Sequence, residues 1–345
     1  MPAVAKTINV LGCLAKIETT YGTAVALTTT SDGLLLSYAD RNVGAPLSIE
    51  YAFDGDVGVN PGNLSRLPLS APGGKSFSGA LPVRFKGAGV AYSASVKPSL
   101  ADVLLRISGL SGTSVTTSGS ESWTYAPATV TAAQESATMD MYARGEKWAL
   151  KGCLADWSFD FANPAPPTHT FTVKGFASGS PNVTDVTLPS ITYPHLTIDP
   201  PNANGITAVI GSFTTNAVVY SGSFKLNRTI EPRVALTSGT GHEGFIGGGY
   251  SPELVITVED TAFVATPFHT SAGLDPIQLY EAATKITVSV TFGSTQYNKW
   301  KVTLSNAQLF KVMPSAVGRA ACWELTFRPS ASSPIALDDL AILFN

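Results

Sequence analysis

The residues best suited to chemistry in this sequence are Cys153 and His169, which lie sixteen positions apart. A catalytic cysteine needs a nearby base, and usually a cation or a helix N-terminus that lowers its pKa. Here the cysteine lies in an alternating segment, on the same side as Trp157 and Phe159. That pattern predicts a strand, and antiparallel pairing across the following proline-rich turn places His169 opposite Phe159. Since six strand residues span roughly 20 Å, we expect no catalytic pair.

Two glycine-rich segments resemble nucleotide-binding loops but lack the surroundings that such loops need. Residues 239–244 read GTGHEG, a literal GxGxxG. A dinucleotide site requires a helix opening at this point, because helix amides and the helix dipole bind the pyrophosphate. The residues that follow, FIGGGYSP, cannot form that helix, so we expect a glycine-rich loop. Residues 73–76, GGKS, lack the earlier glycine of a phosphate loop, because Leu69 takes its place.

The histidines and cysteines do not form a recognisable metal motif. The histidines stand singly, at His169, His195, His242 and His269. The cysteines are far apart and form no CxxC pair, at Cys13, Cys153 and Cys322. Neither a zinc site nor a disulfide framework is indicated. We interpret His242–Glu243 as loop residues and Asp338–Asp339 as a solvated turn, and we expect no enzyme activity, no cofactor and no metal.

Composition limits the classes of function. Only 14% of the 345 residues are charged, against about 25% in a typical soluble domain, while 44% are hydrophobic. So few charges indicate a surface covered in an assembly, although a Ser/Thr-rich surface is the alternative. The net charge of −3 gives no basic surface for holding a nucleic acid. No apolar run approaches the roughly 20 residues of a membrane helix, and the start does not resemble a secretory signal, so we expect a cytoplasmic product.

Alternating patterns predict a mainly β protein with two β-sandwich or barrel domains in tandem. The predicted strands are Phe77–Lys86, Ala137–Ala143, Trp148–Phe161, Thr168–Lys174, Ala217–Leu226, Leu254–Val258, Lys285–Phe292, Lys299–Leu304 and Trp323–Phe327. Each half also has one short helix. Pro98–Gly109 has Ser99 as its N-cap and Gly109 as its stop, and Asp275–Ala283 has an aspartate cap before a proline. The predicted units are an N-terminal domain at 1–177, a proline-rich connection at 178–204 and a C-terminal domain at 205–345.

The order of several short segments resembles the tail tube proteins of long-tailed bacteriophages. In chain order these segments are 16–24 (KIETTYGTA), 97–110 (the first helix), 122–127 (SWTYAP), 144–146 (RGE), 150–161 (LKGCLADWSFDF), 170–176 (TFTVKGF), 305–309 (SNAQL), 323–327 (WELTF) and 338–342 (DDLAI). Their combined order over nearly the whole chain carries the resemblance, because each motif alone is structural and weak.

The resemblance implies a structural virion protein without catalytic residues. In this family, rings of β domains stack head to tail into the phage tail tube, and DNA passes through the lumen during ejection. A chain with two β units then implies a trimeric, pseudo-hexameric ring, with a hexamer as the alternative. The implied partners are further copies of the chain, tape-measure and tail-terminator proteins, and DNA as passing cargo, with assembly in the host cytoplasm and no membrane.

The long segment 41–75 is the candidate contact between adjacent rings, with the N-terminal arm second. It is rich in glycine and proline, yet it carries aromatic residues and leucines. Loops of this length are usually functional or disordered. The candidate contact residues are Tyr51, Phe53, Asp54, Leu64, Arg66 and Leu67.

Two other classes fit the same residues. One is a surface β-sandwich binding module, receptor-binding or adhesin-like, which would be recognised by an exposed aromatic patch and no polymer. The other is a tail-terminator or decoration protein, which would cap an assembly rather than polymerise.

Overall fold

A computed structural model describes residues 10–37, 48–51, 75–128, 135–143, 146–162, 165–177, 186–202, 205–211, 218–234, 242–260, 276–333, 336 and 338–345. The protein is mainly β, as predicted, with 52% of residues in strands and 5% in helices. The first half contains β1 (Val10–Ile17), β2 (Ser48–Tyr51), β3 (Lys75–Val83), α1 (Ser99–Ile107), β4 (Leu110–Val115), β5 (Ser122–Pro127), β6 (Ala137–Ala143), β7 (Glu146–Ala162) and β8 (Thr168–Ala177). The second half contains β9 (Thr207–Ile210), β10 (Val219–Lys225), β11 (Ile230–Val234), β12 (His242–Gly247), β13 (Glu253–Glu259), α2 (Pro276–Glu281), β14 (Lys285–Phe292), β15 (Trp300–Val317), β16 (Ala320–Arg328) and β17 (Leu340–Phe344).

Fifteen of the described strands form one antiparallel sheet. Its main path runs β2-β3-β8-β7-β10-β13-β16-β15-β17-β5-β4. Two branches leave this path: β6 pairs with β7 and carries β1, and β14 pairs with β15 and carries β9. The strands β11 and β12 form a separate hairpin. Strands from both halves of the chain therefore belong to the same hydrogen-bonded sheet.

The same order of six strands occurs twice. The first repeat reads β1-β6-β7-β8-β3-β2, and the second repeat reads β9-β14-β15-β16-β13-β10. The helices occupy corresponding places, since α1 follows β3 and α2 follows β13. The long central strands also share a bulge, with Gly152 at φ 59° in β7 and Asn306 at φ 48° in β15. These matches indicate that one six-stranded unit occurs twice in the chain.

Two strand pairings join the halves of the chain, β10 with β7 and β17 with β5. The strand β10 pairs with β13 of its own repeat and with β7 of the first repeat, where Ser221–Lys225 lies opposite Ser158–Ala162. Buried side chains of both halves also belong to one core cluster. The division into two separate domains stays a prediction; within the proposed connection, the described residues 186–202 contain no helix or strand.

Aromatic side chains fill the centre of the core. Phe159 of β7 lies 5.4 Å between ring centroids from Trp300 of β15, and Phe292 of β14 stacks on Trp300 at 4.1 Å. Along the sheet, β10, β13 and β16 separate β7 from β15. The sheet therefore folds back so that two parts of its inner face pack together, as in the predicted β-sandwich. Aromatic pairs of this kind add about 0.5–1.5 kcal/mol each beyond area burial.

All nine predicted strands are present, although the one predicted at Phe77–Lys86 ends at Val83. Eight further described strands were not predicted, namely β1, β2, β4, β5, β9, β11, β12 and β17. Three other differences concern β7, β15 and β12. The inner face of β7 is buried as predicted, but Leu154 on the opposite face is also buried, because the β11–β12 hairpin covers it through Ile230 and Phe245. The strand predicted at Lys299–Leu304 continues to Val317. Residues 242–247, predicted as part of a glycine-rich loop, form strand β12 instead.

The helices begin and end largely where the sequence indicates. α2 begins at the predicted proline, Pro276, while its predicted cap Asp275 lies outside the described residues. The predicted cap Ser99 is wrong, because Pro98 is the N-cap of α1 and makes no side-chain cap hydrogen bond. Gly109, at φ 89°, follows the end of α1 as predicted. Both described helices are too short to cross a membrane.

Candidate functional site

Cys153 and His169 are separate core side chains. His169 lies opposite Phe159 in the β7–β8 pairing, as predicted, and both Cys153 and His169 are fully buried. The Trp157 indole N–H donates to His169 Nδ1 at 3.2 Å, and the imidazole stacks on Phe85 with centroids 3.6 Å apart. Burial holds the pKa of His169 well below its usual value and raises the pKa of the Cys153 thiol. Both groups are therefore neutral packing residues near pH 7.

The carboxylates singled out in the sequence have structural partners. Glu243 forms an ion pair with Arg233 across the β11–β12 hairpin, with 3.3 Å between Oε2 and Nη2. Asp338 accepts a hydrogen bond from the Ser332 amide at 2.9 Å, in keeping with a turn. Asp339 differs from the solvated turn residue expected, because it is buried and accepts from the Tyr250 hydroxyl at 3.2 Å. Among the described residues, no group of three or more metal-binding side chains comes together.

Only one of the six predicted inter-ring residues falls in the described part of the chain. Tyr51 is the last residue of β2 and pairs with Lys75 of β3. The other five residues lie outside the described ranges, at Phe53, Asp54, Leu64, Arg66 and Leu67. Their role in contacts between rings stays a prediction.

The outer face of the sheet forms a trough where the two repeats join. The trough has a volume of about 800 Å³ and is lined by β3, β8, β7, β10, β13 and β16, together with the β7–β8 turn. Most of its lining side chains are small or carry hydroxyls, namely Ala80, Ala162, Ala165, Thr168, Thr170, Ser221, Ser223 and Thr257. Its charged lining residues are Asp160 and Glu324, both acidic. Across the described lining, no lysine or arginine is present.

Strand alternation and one close approach produce this surface. Ser221 and Ser223 point outward because Phe224, next in the strand, is buried in the core. Between the two serines, a Cβ atom on Gly222 would lie 2.3 Å from the Phe161 ring and 2.5 Å from the Val255 carbonyl oxygen. Glycine at this position therefore lets β10 lie directly between β7 and β13, which closes the floor of the trough.

Basic side chains on the same face lie near one end of the trough and have partners. Arg328 binds Glu253 at 2.8 Å, and Lys174 donates to the Ile230 carbonyl oxygen at 3.1 Å. Lys311 lies 3.9 Å from Glu324, with more than a third of each side chain exposed. A pair this exposed is screened by water and weakly held. Because these basic groups already have partners, the groups that the floor of the trough presents to solvent are hydroxyls and the Asp160 carboxylate.

A second surface feature is the outer part of the β15–β16 hairpin, residues 310–321, called the hairpin arm below. Large apolar side chains are exposed on it, with Phe310 55%, Met313 43% and Val317 39% accessible. The Arg328 guanidinium covers one side of the Phe310 ring at 3.8 Å. Neither the trough nor the arm was among the predicted sites. The nearest signal in the sequence is the alternation of hydroxyl residues at 168–172 and 221–223.

No protein-family model matches the sequence, and no curated protein is similar enough to count as a relative. The fold places the protein in the mainly β class, and its sheet contains the same six-stranded unit twice.

Proposed function

We propose that this protein is the structural subunit of a phage tail tube, assembling into stacked rings that conduct DNA. The observation that carries the proposal is the junction between the repeats, in which β10 of one unit pairs with β7 of another. A head-to-tail contact between like units generates a ring when its rotation closes. The order of sequence motifs supports the same conclusion.

The trough is our candidate for the lumen-facing surface. DNA carries about one negative charge per 1.7 Å of its axis, and proteins hold it mainly through lysine and arginine contacts to phosphate. The trough offers hydroxyls and the carboxylates of Asp160 and Glu324 instead. Such a surface repels the phosphate backbone weakly, and the described lining has no lysine or arginine to bind phosphate. DNA therefore slides along it without being retained.

In the proposed assembly, three chains supply six repeats to each ring, and a hexamer of chains is the alternative. Tape-measure and tail-terminator proteins would set the length of the tube and close its end. The protein would then reside in the virion, after assembly in the host cytoplasm.

Electron microscopy and sedimentation of the purified protein test this proposal. We expect rings or tubes with a central channel at high protein concentration. A monomer that persists under these conditions contradicts the proposal and favours a surface binding module. Rings that never stack favour a terminator or decoration protein.

The segment 41–75 is proposed as the contact between rings, on sequence grounds. Deleting residues 54–69 should leave a folded chain and intact single rings, while tubes disappear from electron micrographs. Circular dichroism provides the control for folding. Tubes of normal length after the deletion would show that the stacking contact lies elsewhere.

A further inference from the structure

The strand β4 lies at one end of the sheet and has an unpaired edge. In the path of described strands it comes last and pairs only with β5. No described residue forms a backbone hydrogen bond with its other edge. Unpaired edges are a template for a further strand, and proteins usually protect them. The edge of β4 is therefore available to a strand from another molecule.

One hydrogen bond shows which residues of β4 face the open side. The Ala128 N–H donates to the Gly109 carbonyl oxygen at 3.0 Å. The next pair, Leu110 of β4 with Pro127 of β5, therefore exchanges no hydrogen bond, because bonded and non-bonded pairs alternate. Every second residue from this pair directs its N–H and C=O toward the open side. These residues are Leu110, Gly112 and Ser114.

A groove with a volume of about 810 Å³ lies beside β4. Residues 109–114 line one side of it, and Asp102 and Arg106 of α1 line another. The volume lies within the roughly 300–1,000 Å³ of ligand sites. Extended peptides bind exposed sheet edges by adding a strand, and the main-chain hydrogen bonds give the affinity. An open edge beside a groove of this size is therefore suited to an extended peptide.

A buried arginine lines the groove where β4 begins. A Cβ atom on Gly109 would lie only 3.1 Å from Cζ of Arg228, so the absence of a side chain gives the guanidinium room. Nη1 of Arg228 donates to the carbonyl oxygens of Ile107, the last residue of α1, and Ala155. The Asp156 carboxylate accepts the Arg228 backbone N–H rather than the guanidinium. The Nε and Nη2 edge has no described partner and is left for a ligand.

The positive charge of Arg228 lacks an ion-pair partner among the described residues. The other charged side chains of the groove are paired: Arg106 binds Glu135 and Asp102. Lys97 lies 3.3 Å from Asp102. Burial lowers the pKa of Arg228 to about 10, so the guanidinium stays charged at pH 7. Because a buried unpaired charge is unfavourable, the groove favours a ligand with one negative group.

The Trp123 indole N–H in the same groove also lacks an acceptor. The side chain is buried, and its nitrogen has no hydrogen-bond partner in the described part of the chain. A Cβ atom on Gly112 would lie 2.6 Å from this nitrogen, so the donor lies directly beside β4. A buried donor without an acceptor is costly. A carbonyl oxygen of a bound peptide would satisfy it.

We infer that the groove binds the carboxyl-terminal end of an extended peptide from another protein. The peptide carboxylate binds the Arg228 guanidinium, whose planar fork matches a carboxylate. The peptide runs antiparallel to β4 and forms hydrogen bonds with its open-side residues, and about four residues at roughly 3.3 Å each span this distance. Because the guanidinium is bonded to the end of α1, the added strand ends there on its own carboxylate. This inference goes beyond the proposed ring and does not depend on it.

Calorimetric titration of the purified full chain tests the inference. The probes are a library of acetylated tetrapeptides with free carboxyl ends, titrated one at a time, and the same peptides with amidated ends. We expect free-acid peptides to bind. The matching amides should bind at least about tenfold more weakly, because they lose the charge-assisted pair with Arg228. Acetate should bind far more weakly than the peptides, since it has no main chain to pair with β4.

A proline variant tests the strand pairing. Ser114→Pro removes an N–H on the open side and no hydrogen bond to β5, so β4 should still form. The affinity for the tightest free-acid peptide should fall by at least about tenfold. Thr116→Pro is the matched control, at an exposed residue after the end of β4, and should leave the affinity unchanged. Circular dichroism shows whether both variants are folded.

Several results would overturn the inference. Binding of no free-acid peptide, or equal binding of acids and amides, contradicts the carboxylate site without the use of any variant. Equal affinity for acetate and for the peptides identifies a simple anion site instead. Unchanged affinity in folded Ser114→Pro rules out strand addition along β4. None of these results bears on ring formation, which electron microscopy tests separately.

Discussion

The core histidine predicts how stability depends on pH. Burial lowers the pKa of His169, so the folded protein does not take up the proton that the unfolded chain binds near pH 6.5. This contribution to stability is fully present above pH 6.5 and is lost as the pH falls below it. The free energy of unfolding should decrease by up to about 1.4 kcal/mol per pH unit, as measured by urea unfolding between pH 7.5 and 5.

The control for this pH effect is His169→Phe, which keeps an aromatic ring between Phe85 and Trp300. The variant should lose some stability at every pH, since the Trp157 indole N–H loses its acceptor. Other groups with shifted pKa values, such as Asp156, titrate in both proteins. Equal slopes in the two proteins would contradict the prediction.

Two neighbours on β7 should differ sharply in their contribution to stability. Trp157→Ala should cost roughly 3–5 kcal/mol, because the indole is fully buried and packs on Phe224 with centroids 4.8 Å apart. Cys153→Ala should cost about 1 kcal/mol and leave assembly intact, since the thiol fills a small space. Denaturant unfolding measures both. A larger loss of stability for Cys153→Ala than for Trp157→Ala would contradict the role of the thiol as a small packing group.

At the scale of elements, a buried carboxylate fastens three parts of the first repeat. Glu18 follows β1 and accepts hydrogen bonds from the amides of Gly22 and Gly152 at 2.8 and 2.9 Å. It also accepts from the hydroxyls of Ser136 and Thr138 at 2.6 and 3.0 Å. The end of β1, the start of β6 and the bulge of β7 therefore share one anchor.

Replacing this anchor should be costly although the side chain keeps its shape. In Glu18→Gln the new amide group faces donors, so at least one backbone N–H loses its acceptor. We expect a loss of about 1–3 kcal/mol in denaturant unfolding. The exposed Glu231→Gln is the matched control and should change stability by less than about 0.5 kcal/mol. Equal effects would mean that the bonds to Glu18 contribute little.

The sequence predicts a strand best where one face of the strand is buried and the other face is exposed to solvent. The strand at Lys285–Phe292 matches its prediction at both ends, because its alternation is visible locally. The extension of β15 to Val317 was missed because the hairpin arm is exposed on both faces and so does not alternate. The Ser99 cap prediction was wrong because α1 already includes Ser99, so the cap position falls one residue earlier, at Pro98.

The candidate site was harder to predict than the fold. The trough depends on the pairing of β10 with β7, between residues about sixty positions apart. No local pattern specifies that partner. The repeat is equally hidden, because the same left-handed bulge is formed by glycine at 152 and asparagine at 306. The two bulges have the same backbone conformation although their residues differ, so the sequence does not reveal the repeat.

At the scale of the whole molecule, the trough predicts how DNA binding responds to charge. Asp160→Lys with Glu324→Lys places cations on the proposed lumen wall. Assembled rings of this variant should bind DNA more tightly than wild type, with a steeper loss of affinity as salt rises. Binding assays at several salt concentrations measure both quantities.

The matched control is Glu231→Lys with Glu281→Lys, which changes the net charge equally at exposed positions outside the trough lining. It should bind DNA less tightly than the trough variant. Equal affinity and equal salt dependence in the two variants would show that the trough does not face the DNA.

The covalent joining of two repeats limits which rings the chain can form. Each copy adds two units at once, so a closed ring always contains an even number of units. In the proposed ring, every second contact between units would be the internal pairing of β7 with β10, which stays closed while the chain is folded. Exchange between such rings would therefore proceed by pairs of units, and only half of the contacts between units could open.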